Sequence, residues 1–114
     1  MKYIRLFEDF QLGDLNFMSP KEIKELFFEE CIKATPDLEL IRVIIENGLV
    51  DVDAKNKWNN TPLHEAVLRD NIAIAKLLIN SGANVNAKTK YGNTPLDLAK
   101  SQEMKALLRE HGAI

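Results

Sequence analysis

Along this chain the apolar positions fall into short runs spaced three and four apart, separated by Gly, Pro, Asn and Asp. Leu63, Ala66 and Val67 make one such stripe, the pattern of a short helix with a single buried face. Ile72, Ile74, Ala75, Leu77, Leu78 and Ile79 make a second, broader one. Asp70-Asn71 between them reads as a turn. Thr61 is placed to cap the first helix, because its hydroxyl can accept from an unsatisfied amide of the first turn. Pro62 follows at the first helical position, where its missing N–H costs nothing and its fixed φ suits a helix. Gly82 ends the second helix, since a residue without Cβ takes left-handed backbone without a clash. "ANVNAK" then leads out as an extended finger, so one unit is helix, turn, helix, finger.

The pattern recurs. "KNKWNNTPLHEA" (55–66) and "KTKYGNTPLDLA" (88–99) are the same phrase, with matched residues 33 positions apart. A pair of short helices leaves one flank wet unless a neighbouring copy covers it, so about three copies are needed for a stable core. Residues 89–114 supply a copy whose helical hairpin is shortened by three residues and ends in "LLREHGA". Upstream, "DLELIRVIIENG" (37–48) matches the second helix with its glycine stop, and "VDAK" (52–55) matches "VNAK" (85–88). Aligning Phe28 and Cys31 with Leu63 and Ala66 leaves one extra residue in the Thr35-Pro36 turn and another after Gly48. That first copy is degenerate.

"SPKE" (19–22) reads as a capping box, with Ser19 as N-cap, Pro20 first in the helix and Glu22 reaching back. It starts seven residues ahead of the position matching Thr61, nearly two turns, which keeps the same facing. Ile23, Leu26, Phe27, Phe28, Cys31 and Ile32 cover much of that helix's circumference, too apolar for an outermost surface. Residues 1–18, with Tyr3, Ile4, Leu6, Phe7, Phe10, Leu12, Leu15 and Phe17, are the available cover and are expected to fold back as a lid.

The period, "TPLHEA", "TPLDLA" and "LLINSGANVNAK" together resemble ankyrin repeats, over roughly residues 22–114. The resemblance implies an all-α solenoid of helix-turn-helix units with short β-turn fingers, plus an N-terminal capping segment. The expected organisation is a capping or leader segment at 1–18 and repeats at about 19–54, 55–87 and 88–114. Asn59 stands where such repeats carry glycine, a substitution that asparagine tolerates at positive φ. Asp97 stands where the preceding copy has His64, and the resemblance makes that imidazole a structural hydrogen-bonding group between neighbouring units.

Candidate chemistry is sparse. Cys31 is the single cysteine, so neither an intrachain disulfide nor a cysteine metal cluster can form; a reducing, cytoplasmic interior is the simplest setting, with the thiol as a compact core residue. His111 lies near the end of the last helix, where a cation suits the dipole. Glu29-Glu30 invites a general-acid reading, but adjacent helical residues point about 100° apart and do not share a site. The chain has no Walker loop and no paired glycine fingerprint, and no apolar run reaches the ~18 residues that cross a bilayer. A non-catalytic protein without cofactor or metal, and without membrane contact, is expected.

Charge divides unevenly. Residues 1–54 carry six Lys/Arg against twelve Asp/Glu, whereas residues 55–114 carry nine against five. In the basic part, Lys55, Lys57 and Trp58 are echoed by Lys88, Lys90 and Tyr91, a strip of two aromatics among four lysines at the finger tips. Exposed aromatic rings supply much of the energy of many interfaces, and lysines favour an acidic partner. Because ankyrin-like repeats dock protein partners on fingers and inner helices, the resemblance nominates Lys57, Trp58, Asn60, Leu68 and Arg69 from one copy. From the next it nominates Lys90, Tyr91, Asn93, Ser101 and Gln102. The expectation is a monomeric protein-interaction module; the acidic N-terminal half argues against nucleic acid. An alternative is a phage- or bacterial-encoded assembly or packaging component, because "MKYIRLFEDF" faintly resembles the charged-aromatic leaders of proteins packaged into phage heads. Under that reading the first ten residues act as an address rather than a lid.

Overall fold

The structure, a computed structural model, describes residues 18–114. The lid and address readings of the N-terminal segment therefore lie outside the described residues. The chain divides into two units after Val50.

In the first unit, α1 (Pro20–Ile32) and α2 (Leu38–Glu46) pack as a hairpin. Ser19 caps α1 in the expected reciprocal box: its hydroxyl accepts from the Glu22 amide at 3.2 Å while the Glu22 carboxylate accepts from the Ser19 amide at 2.9 Å. Ile23, Leu26, Phe27 and Cys31 are buried, as are Leu40, Ile41 and Ile44 of α2. Phe28 is only half-buried, and Ile32 is exposed, because it falls on the last turn of α1 away from the buried stripe.

Glu30 is the polar exception. Its buried carboxylate pairs with Lys33 and accepts the Asp37 amide at 3.0 Å, tying the connecting turn to α1. Asp37 then caps α2 by accepting from Leu40 at 3.0 Å. Burial, with the nearby Glu30 and Glu39 charges adding to it, raises the Asp37 carboxyl above its usual value against the opposing Leu40 hydrogen bond.

The second unit contains two hairpins: α3 (Pro62–Leu68) with α4 (Ile72–Asn80), then α5 (Pro95–Leu98) with α6 (Gln102–Glu110). Helix α3 packs on α4 and on α5, and α4 packs on α6, so consecutive hairpins lie side by side within this unit. Helix α5 has four residues against seven in α3, the expected shortening. Leu63, Ala66, Val67, Ile74, Ala75, Leu78, Met104 and Leu108 are almost wholly buried. Asp70, at φ 54°, turns the chain between α3 and α4, and Asn71 caps α4. The described residues contain helices and turns and no strand.

Long-range hydrogen bonds stitch the copies of this unit. The Asp53 carboxylate accepts the Asn84 amide at 2.9 Å, and the Asn86 side-chain oxygen accepts the Ile114 amide at 3.2 Å. With the shortened hairpin allowed for, these are the same bond made twice. The Ser101 hydroxyl donates to Asp70 at 2.7 Å.

Candidate functional site

The fingers are built from local hydrogen bonds. Residues 56–60 close when the Asn56 amide donates to the Asn60 carbonyl at 3.0 Å and the Asn59 amide donates to the Asn56 carbonyl at 2.9 Å. Residues 89–93 repeat this through the Thr89 amide to the Asn93 carbonyl and the Gly92 amide to the Thr89 carbonyl, both 2.9 Å. Closing so tight a loop requires left-handed backbone at its far corner. Asn59 and Gly92 supply it, at φ 65° and 81°.

Those loops present the aromatic pair outward, Trp58 50% and Tyr91 76% exposed. Each ring has a lysine beside it: Lys57 Nζ lies 4.5 Å from the Trp58 centroid and Lys90 Nζ 5.1 Å from that of Tyr91. Lysine ammonium over an aromatic face is held by the ring quadrupole, by about 0.5–1 kcal/mol at an exposed site. Lys55 and Lys88 are exposed as well.

The other nominated residues divide by how much of their side chain is already engaged. Leu68 is 37% exposed at the end of α3, an apolar residue facing solvent. Gln102 is exposed at the start of α6. Arg69 lies 3.5 Å from the Glu65 carboxylate, an i,i+4 pair. Ser101 caps α6 through Met104 while donating to Asp70. Asn60 donates its side-chain amide to Glu65 at 2.9 Å, and Asn93 offers its backbone carbonyl to His64.

His64 is wholly buried, and its ring bridges two copies. The Thr61 amide donates to Nδ1 at 3.0 Å, so Nδ1 accepts and the proton sits on Nε2, which donates to the Asn93 carbonyl at 3.1 Å. Burial lowers its pKa below the ordinary 6.5, because a charged imidazole would lose water that the Asn93 and Ala87 carbonyls only partly replace. His111 is exposed at the end of α6 with Nδ1 3.0 Å from the Leu107 carbonyl, and the Cys31 side chain is wholly buried. Among the described residues no group of three or more His, Cys, Asp or Glu is placed to hold a metal ion, and no helix is long and apolar enough to cross a membrane.

Two residues absent from the nominated set organise this face. Glu65 is buried and accepts from both Asn56 at 3.1 Å and Asn60 at 2.9 Å. Asn56 turns its side-chain oxygen to the amides of Trp58 and Asn60, at 3.0 and 3.1 Å. The signal was present in the sequence: Asn56 and Thr89 occupy matching positions, and both residue types hydrogen-bond amides two residues on.

Comparison with known proteins agrees with this architecture. A family model described as "Ankyrin repeats (many copies)" matches residues 44–99. Over 74 residues, 65% of the chain, the sequence is 40% identical to alpha-latrocrustotoxin-Lt1a of Latrodectus tredecimguttatus. Over 90 residues, 79% of the chain, it is 32% identical to the ankyrin repeat and LEM domain-containing protein 1 homolog of Caenorhabditis elegans. These matches span 5% and 12% of those two proteins, so the chain corresponds to a small part of each. The chain is an ankyrin-repeat protein with the all-α fold of that family. Ankyrin repeats in general mediate protein–protein interaction and are not catalytic.

Proposed function

We propose that this chain is a non-catalytic module that binds a protein partner through the two finger tips and the adjoining helix ends, with Trp58 and Tyr91 as anchors. The supporting observation is the exposure of both rings at matching tips, each beside a lysine. Residues 55–60 and 88–93 contain four lysines and no acidic residue, which suits an acidic segment of the partner. Lys57, Lys90, Leu68 and Gln102 have side chains with room for contact. Asn60, Arg69, Asn93 and Ser101 would contribute at their edges while keeping the internal bonds described above. Finger loops already closed by their own hydrogen bonds lower the ordering cost of association, so a few side chains can give useful affinity. The chain acts as a monomer in the cytoplasm on this reading.

Affinity purification with mass spectrometry, wild type beside a Trp58→Ala/Tyr91→Ala double mutant, tests it. The double mutant should keep the helical spectrum and melting behaviour of the wild type and lose its specific partner. Undiminished capture by the folded double mutant would overturn the reading.

A further inference from the structure

We propose that Glu65 is a positioning residue for the 56–60 finger, fixing the backbone from which Trp58 projects. This rests on the finger-tip reading above only for its purpose; the positioning itself is a property of the free protein.

Asn56 stands at the start of the finger and is bonded to its end. Its side-chain oxygen already accepts two backbone amides, those of Trp58 and Asn60, and this fixes the orientation of its amide group. The NH2 of that group must then point the other way, where it meets Glu65 Oε2 at 3.1 Å. The same oxygen receives the Asn60 side chain at 2.9 Å. Asn56 and Asn60 are the two feet of the finger, joined to each other by the 3.0 Å backbone bond. One buried carboxylate on a helix therefore holds both feet, with Trp58 midway between them.

The carboxylate and the two amides also need each other. A buried carboxylate without hydrogen-bond donors is costly, so the finger cannot swing away without leaving Glu65 unpaired on that oxygen. Arg69, 3.5 Å from Oε1, satisfies the other side of the group and leaves Oε2 for the finger.

The next finger supplies an internal control. Thr89 takes the place of Asn56, and its hydroxyl accepts from the Tyr91 and Asn93 amides at 3.2 and 3.3 Å. Leu98 takes the place of Glu65, 33 positions on. Leucine has no group to hold the feet of that finger. The two tips thus share a turn and differ in their anchorage to the helix behind.

Trp58 is the only tryptophan in the chain, so its fluorescence reads this finger alone. Time-resolved anisotropy of the free protein should show the Trp58 ring of wild type tumbling mainly with the whole molecule. Glu65→Leu, which copies the other finger, should lose much of that slow amplitude to subnanosecond motion. Asn60→Ala should move in the same direction, and adding it to Glu65→Leu should bring little further loss, because both cut one link. Glu65→Gln, whose amide oxygen can still accept, should retain most of the slow amplitude. Helical circular dichroism at the measurement temperature separates a loosened finger from a lost fold. Should Glu65→Leu be unfolded there, the Asn60→Ala comparison carries the test by itself.

A wild-type anisotropy decay in a folded Glu65→Leu or Asn60→Ala protein overturns the proposal. So does full additivity of the two. Partner capture that survives Trp58→Ala/Tyr91→Ala would remove the binding reading and leave this measurement untouched.

Discussion

The two copies in residues 55–114 begin with nearly the same phrase and put it to different use. In "TPLHEA" the threonine cap, the proline and the third helical residue form a reciprocal box, and in "TPLDLA" they form it again. The third residue then diverges. His64 is buried and spends its second ring nitrogen on the Asn93 carbonyl of the following copy. Asp97 is exposed, and its carboxylate reaches back to the Thr94 amide at 2.9 Å. Capping is thus a local property that any copy can keep, whereas the bridge between copies needs a side chain that donates at one atom while accepting at another, and a carbonyl to meet it.

The two copies should respond differently to matched substitutions. Leu63 is wholly buried and Leu96 only half-buried, so Leu63→Ala should cost ~2–5 kcal/mol in a denaturant titration and Leu96→Ala clearly less. Equal losses would contradict the different burial of the two stripes. His64→Asp, which writes the later phrase into the earlier copy, keeps the box but removes the donor that ties the Asn93 carbonyl to this copy, leaving that carbonyl only the Thr89 amide, and puts a carboxylate where the imidazole is wholly buried. A loss of at least ~1–3 kcal/mol is expected from that alone, while Asp97→His should stay within about 0.5 kcal/mol of wild type. Thr61→Ala and Thr94→Ala should each cost about 1 kcal/mol by loss of a cap, the feature the copies share.

The mildest test is pH. The folded state holds His64 neutral, so the contribution of this group to stability is complete above its unfolded pKa of 6.5. Below that value the unfolded chain takes up a proton that the folded chain resists, and stability falls. Melting temperatures measured from about pH 7 towards pH 5 should decline more in wild type than in His64→Asn, and parallel profiles would remove His64 from the account.

Much of the fold was legible beforehand because its determinants are local. Ser19, Thr61 and Thr94 announced their caps, Asn59 and Gly82 their positive φ, and the alternation of stripes announced the hairpins. The exposed rings of Trp58 and Tyr91 were also readable, since a finger tip has little to be buried against. Glu30 and Glu65 were not. Glu30 shares its helix with five other charged residues and looks like solvated surface, while Glu65 is the one carboxylate of a short helix, where the exposed face is its ordinary place. Their burial follows from loops folding over them, Asp37 upon Glu30 and Asn56 with Asn60 upon Glu65.

By itself the sequence determined where helices start and stop, how the copies are spaced and which residues face outward at the tips. Those features depend on torsion preferences and on hydrogen bonds between residues a few positions apart. Tertiary structure decided which polar groups are shared between segments: His64 with Asn93, Asp53 with the Asn84 amide, Glu65 with the finger. The reason is physical. A polar side chain will be satisfied either by water or by a distant partner, and only the packed chain determines which of the two lies within reach.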